Sequence, residues 1–199
     1  LHYTRDGERT ISHDTHSGPL RVLKRLYPEG PGICHHVMVH PPGGIVGGDV
    51  LEIEATLERG THALVTTPGA ARFYRSAGEQ ALQKTTLQVA GGARLEWLPL
   101  ETIAQHGCLG ENRLSIQSEE GGEAMGWDVL ALGLPAAGEH FDAGVFQQHL
   151  ELPGAWLERG RISAADTALL DSPLGWAGQR VLATMWFMAG QELTPARRD

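Results

Sequence analysis

Val50-Leu51-Glu52-Ile53-Glu54-Ala55-Thr56-Leu57 alternates along its whole length: Leu51, Ile53, Ala55 and Leu57 on one side, Glu52, Glu54 and Thr56 on the other. A period of two sends successive side chains to opposite faces of an extended chain, so this stretch predicts a strand with one buried face. The same period continues outward. Residues 62–67, 80–89 (Thr85, Leu87 and Val89 in phase) and 94–100 (Leu95, Trp97 and Pro99 against Glu96 and Leu98) follow it. Residues 34–40, 113–118, 127–132, 146–152, 155–162 and 180–187 are further strand candidates, and 164–170 is a short helical one. Pro28-Glu29-Gly30, Pro41-Pro42-Gly43-Gly44, Gly47-Gly48-Asp49, Pro68-Gly69, Gly91-Gly92, Gly121-Gly122 and Pro153-Gly154 punctuate the chain. Turns about 8–12 residues apart suit sandwiches, barrels and solenoids. The reading is a mainly β protein, an extended superhelical or layered arrangement of strands with few short helices, paired mainly antiparallel. No sequence repeat and no low-complexity linker is visible.

The chain has 199 residues, 41% hydrophobic and 20% charged. At that length one domain buries roughly two-thirds of the surface its unfolded chain exposes, enough for a core without staples. No apolar run approaches the ~20 residues of a membrane span, and the first sixteen residues, polar and charged, do not read as a secretory signal. Cys34 and Cys108 stand in no metal or redox spacing and read as free thiols in a reducing cytoplasm. The net charge of −8 argues against nucleic acid as a partner, whose phosphates call for a cationic surface, and suits cations or basic surfaces.

Cys34-His35-His36-Val37-Met38-Val39-His40 places Cys34, His36 and His40 on one strand face, with thiol and imidazole groups that suit zinc or nickel. Side chains on one face of a single strand point nearly parallel rather than converging, so ordinary half-buried histidines are the favoured reading. The chain has no Gly-x4-Gly-Lys-Ser/Thr loop, no Gly-x-Gly-x-x-Gly and no Gly-x-Ser-x-Gly elbow. Cys108 follows His106 without a third orienting group. Nucleotide hydrolysis and nucleophilic catalysis are not expected of it.

His40-Pro41-Pro42-Gly43-Gly44-Ile45-Val46-Gly47-Gly48-Asp49 resembles the signature of the UreD (UreH) family of urease accessory proteins. Further strings match in order: Gly18-Pro19-Leu20-Arg21-Val22, Thr66-Thr67-Pro68-Gly69-Ala70 with Arg72-Phe73-Tyr74-Arg75-Ser76, Leu95-Glu96-Trp97-Leu98-Pro99, and Gly126-Trp127-Asp128 with Leu132-Gly133 and Gly138-Glu139. The resemblance implies a cytoplasmic, non-enzymatic maturation factor with a β-strand superhelix fold. It further implies a complex with a helical UreF-type accessory protein and a nickel-binding UreG-type GTPase, docking on the urease apoenzyme, with nickel passing through an internal water-filled channel and no tightly bound cofactor. On the matching positions Asp49, Asp128 and Glu158 are expected along that route, with Glu139 and Thr67 as further candidates. Asp49 equally suits a turn cap, and Glu158 an ion pair with Arg159. Leu100 and Leu134 replace a Gln and an Arg of the family pattern, which would narrow or dry part of a channel. Family members run on beyond the position of Asp199, so residues 1–199 read as a single UreD-type β domain without the family's C-terminal part.

The rival reading is a metal-dependent hydrolase built on His36, His40 and a carboxylate, which needs converging ligands and an open coordination position. A carbohydrate-binding solenoid would need a stripe of exposed aromatics, and aromatics make up only 6% of the chain. Hydrophobic residues left exposed in the chain alone, with Trp97, Trp127, Trp156, Trp176 and Trp186 as candidates, would make it poorly soluble without partner proteins.

Overall fold

The computed structural model describes residues 1–197; residues 198 and 199, the end of the span expected to form one domain, lie outside the described residues. In chain order the strands are β1 (His2–Asp6), β2 (Arg9–His13), β3 (Arg21–Val22), β4 (Ile33–Val39) and β5 (Val50–Leu57). Then come β6 (His62–Thr66), β7 (Ala71–Phe73), β8 (Ala81–Val89), β9 (Arg94–Leu98) and β10 (Thr102–Ala104). The last are β11 (Cys108–Ser118), β12 (Glu123–Leu132), β13 (Gly144–Leu152), β14 (Trp156–Ser163) and β15 (Val181–Ala189). Every strand expected from the alternation is present, most of them a few residues longer or shorter than read. The hairpin β1–β2 was not expected, because its inward residues Tyr3, Thr10 and Ser12 carry hydroxyl groups and blur the apolar period.

Two sheets stack face to face. The first runs β14-β13-β11-β8-β5-β1-β2, the second β3-β4-β6-β9-β12-β10-β7, with β15 also paired to β12. Successive long strands alternate between them: β5 leads to β6 through Glu58-Arg59-Gly60-Thr61, β8 to β9 through Ala90-Gly91-Gly92-Ala93, and β11 to β12 through Glu119-Glu120-Gly121-Gly122. These four-residue arches cross the gap between the sheets and stack on one another. Arg94 N donates to Thr61 O at 2.8 Å, Gly92 N to Gly121 O at 2.9 Å and Glu123 N to Ala93 O at 2.9 Å.

That connectivity overturns the antiparallel expectation. β5–β8, β8–β11 and β11–β13 pair in parallel, as do β4–β6, β6–β9 and β9–β12. A short link reads as a hairpin only if the chain folds back within its own sheet; here each link leads into the opposite sheet. The next strand back in the first sheet therefore runs the same way as the last, and the chain winds as stacked coils resembling a β-solenoid. Among the described residues the antiparallel strand pairs are β1–β2, β3–β4, β13–β14 and β12–β15, beside isolated bridges such as Leu26 to His35. The short helix α1 (Thr167–Asp171) begins three residues later than read, where the Asp166 side chain accepts from Leu169 N at 3.0 Å.

The interior holds two apolar clusters. One, toward the arches, gathers Tyr3, Leu57, Leu87, Leu95, Trp97, Leu150 and Trp186; the other gathers Ile45, Leu51, Phe73, Leu130, Phe146 and Ile162. Cys34 lies in the first and Cys108 in the second, both free and buried. The tryptophans are not the exposed residues expected: Trp97 and Trp186 are buried, and Trp127, Trp156 and Trp176 are half-buried. An indole on an inward strand position is drawn into the core like any large apolar group. The exposed apolar side chains include Met185 (77% exposed) and Phe187 (51%) of β15 and Met125 of β12.

Candidate functional site

A polar belt separates the two apolar clusters. On three neighbouring parallel strands Gln83, Asn112 and Gln148 occupy one register row, Gln83 opposite Asn112 and Asn112 opposite Gln148. Each sits in phase with apolar inward neighbours: Ala81 and Leu87 beside Gln83, Leu114 and Ile116 beside Asn112, Phe146 and Leu150 beside Gln148. From the facing sheet Asp128 of β12 meets this row. Asn112 Nδ2 donates to Asp128 Oδ2 at 2.6 Å, Gln148 Nε2 donates to Oδ1, and Gln83 Nε2 approaches Asn112 Oδ1 at 3.4 Å. Thr184 of β15 stands opposite Asp128 in the β12–β15 ladder, and its hydroxyl lies 3.0 and 3.2 Å from the two carboxylate oxygens of Glu158 on β14.

Asp128 is only 8% exposed. Burial, with the Glu158 carboxylate beside it, pushes its carboxyl from the ordinary 3.8 up to about 6, against the hydrogen bonds from Asn112 and Gln148, which favour the charged form. Perturbed carboxylates of this kind concentrate at functional sites. From Asp128 a cavity of about 210 Å³ extends between the sheets to a mouth formed by His40, Gly43, Gly44, Thr67, Pro68, Arg72 and Leu100.

The mouth is where the two longest family-like strings meet. Ile45 N donates to Arg72 O at 2.7 Å and Tyr74 N to Ile45 O at 2.9 Å, so the loop 40–49 runs alongside the segment 72–76. Gly43 takes φ +79°, and a Cβ on Gly44 would stand 1.9 Å from the Tyr74 ring. Only a glycine pair allows both the turn and the close approach, which explains why Pro-Pro-Gly-Gly and Phe-Tyr-Arg-Ser occur together.

The other expected site residues are distributed around this belt. Thr67 lines the mouth, its hydroxyl donating to Gly69 O and accepting from Leu100 N, both at 3.0 Å. Asp49 caps its turn: Oδ2 accepts from Val46 N at 3.0 Å, and the residue is not among those lining the cavity. Glu158 turns inward to Thr184, while Arg159 points to the opposite face and is exposed, so the two form no inward ion pair. Glu139 lies apart, at a surface pocket with Arg75, His106, His140 and Asp142. Leu100 is 44% exposed at the mouth, whereas Leu134 is not in the cavity lining.

His36, Cys34 and His40 are not brought together as ligands. His36 is 1% exposed with both ring nitrogens engaged, Nδ1 with Tyr3 Oη at 2.8 Å and Nε2 with Ser12 Oγ at 3.3 Å. Burial lowers its pKa and raises that of the Cys34 thiol. His40 stands at the cavity mouth, its pKa lowered by burial and drawn back up by Asp49. Among the described residues no group of three or more His, Cys, Asp or Glu side chains could hold a metal ion, which leaves the hydrolase reading without a ligand set there.

Gln83, Asn112, Gln148 and Thr184 were missed in the sequence. The signal was present: an amide at an inward position of an otherwise apolar strand face, on three strands.

The family model described as UreD urease accessory protein matches residues 1–199. A protein of Leptothrix cholodnii named urease accessory protein UreD is 62% identical over 201 residues, covering 100% of this chain and 72% of the relative. Similar proteins of the same name occur in Polaromonas naphthalenivorans (61% identical over 199 residues, 100% and 72% covered) and Methylibium petroleiphilum (56% over 218 residues, 100% and 74% covered). These relatives are named as accessory proteins, not as enzymes. No helix among the described residues is long and apolar enough to cross a membrane.

Proposed function

The chain belongs to the UreD family of urease accessory proteins, which act in urease maturation, and from that premise we propose that it is a scaffold and nickel conduit. Nickel is its cargo, and the route runs from the mouth at Thr67 and His40, through the interlayer cavity, past Asp128 to Glu158 and Thr184. The observation that carries this reading is the buried Asp128 carboxylate at the inner end of a cavity open to the surface. Imidazole and thiolate hold nickel firmly, whereas sparse carboxylate oxygens attract a divalent cation and release it. A conduit calls for the second kind of ligand, and His36 and Cys34 are engaged in the core instead.

The working complex comprises a helical UreF-type accessory protein, a UreG-type GTPase and the urease apoenzyme, in the cytoplasm. GTP hydrolysis falls to the GTPase, since this chain has no phosphate-binding loop of the Gly-x4-Gly-Lys type. The outer face of the second sheet suits docking: Met125 lies opposite Phe187 and Trp127 opposite Met185 across β12–β15, an exposed apolar band of the kind that marks interaction sites. The test is co-purification with the three partners followed by nickel-dependent urease activation. Asp128→Asn and Glu158→Ala are expected to assemble normally and activate poorly. Wild-type activation by both variants would end the conduit reading, and failure of the unmodified chain to assemble would end the scaffold reading.

A further inference from the structure

The belt contains two amide side chains that do more than fill space. Asn112 and Gln148 come from β11 and β13 of one sheet, and Asp128 from β12 of the other, so the contacts among them span the gap between the layers. Each carboxylate oxygen of Asp128 receives one amide N–H, Oδ2 from Asn112 and Oδ1 from Gln148. Such an arrangement fixes both the position and the rotation of the carboxylate. It also occupies one lone pair on each oxygen and leaves the others for a passing ligand. Asn112 lines the cavity with Asp128, and Gln83 on the next strand approaches the Asn112 amide oxygen, which orients the Asn112 amide group.

We propose that Asn112 and Gln148 are positioning residues of the nickel route, a two-armed amide clamp that holds the Asp128 carboxylate at the inner end of the cavity with one face of each oxygen free. The proposal rests on the conduit reading above. The clamp acts through Asp128 and not on the cargo. Without either arm the carboxylate loses a fixed orientation, and a cation meets a ligand that must first be ordered. Outer partners of metal-ligating groups typically change affinity or activity by about 10–100-fold when removed.

A double-mutant cycle in nickel-dependent urease activation, run with the full accessory complex, tests it. Gln148→Met keeps the length of the side chain without its donor, and Asn112→Leu keeps most of the volume; thermal unfolding of each chain reports the fold. Each single variant is expected to lower the activation rate roughly tenfold. In an Asp128→Asn background neither is expected to cause further loss, because residues acting through one group are not additive. A purely structural role would lower activation equally in both backgrounds, and that result overturns the clamp. So does wild-type activation by Gln148→Met and Asn112→Leu while Asp128→Asn is impaired. Wild-type activation by Asp128→Asn itself overturns the conduit reading on which the clamp rests.

Discussion

The apolar cluster beneath the arches and the polar belt beside it are built from the same strands, two residues apart. Leu114 and Asn112 share an inward face of β11, as Leu150 and Gln148 share one of β13. Toward the arches the inward positions are filled with Leu57, Leu87, Leu95 and Leu150, all fully buried. In the belt they are amides around a carboxylate. The first arrangement stabilises the coils by removing apolar surface from water. The second costs free energy, because Asp128 carries charge away from water at neutral pH. A costly group retained where an apolar one would pack marks a position held for function rather than stability.

The contrast is tested most severely in the apolar cluster. Leu57→Ala removes a fully buried side chain at the end of β5, beneath the arches, and a loss of about 2–5 kcal/mol in unfolding free energy is expected by denaturant titration. A loss below about 1 kcal/mol would mean that the arch end is loosely packed.

The belt should respond with the opposite sign. Asp128 binds its proton more tightly in the folded chain than in the unfolded one, about 6 against 3.8. Its cost is therefore absent below 3.8, grows as pH rises, and is complete above about 6. Asp128→Asn should raise stability by roughly 1–3 kcal/mol at pH 8 and by little at pH 4, while activation falls. Melts of both chains across that range decide it; a variant less stable than wild type at pH 8 would show that the ionised carboxylate is structural.

Within the arch-side cluster, Gly126 of β12 lies under the Trp186 ring, where a Cβ would stand 2.5 Å from the ring and 2.5 Å from Trp97 O. Gly126→Ala must shift either indole or backbone, and a loss of about 1–3 kcal/mol is expected. Calorimetry showing no change would mean that β15 moves freely on β12. The smallest effect belongs to the outer surface. His62 Nε2 lies 2.8 Å from Glu96 Oε1 on the outer face of the second sheet. His62→Ala should change stability by less than about 1 kcal/mol, since such partly exposed pairs contribute little.

Part of this was legible from residue order. The alternation in 50–57, 80–89 and 94–100 named the inward residues, because burial of one strand face leaves a period-two imprint whatever the strand pairs with. The Pro-Pro-Gly-Gly and Phe-Tyr-Arg-Ser strings pointed to the family. Asp128 and Glu158 were reached through that resemblance, and the structure places both on the belt; Asp49 and Glu139 were reached the same way and lie off it. Gln83 and Gln148 fell in phase with the apolar face of strands read from the sequence, Asn112 lay just before one (113–118), and nothing linked the three, 29 and 36 residues apart along the chain.

Residue order alone was enough for most of the longer strands, their buried faces and the kinship, since these depend on local periodicity and on strings of adjacent residues; the β1–β2 hairpin and the short β3, β7 and β10 left no such imprint. That the arches cross between sheets and make the pairing parallel came from the folded chain as a whole. That same crossing sets Gln83, Asn112 and Gln148 in one row and brings Asp128 against it from the facing sheet. Register between strands separated by some thirty residues is fixed by the closing of the whole stack, and no local pattern encodes it.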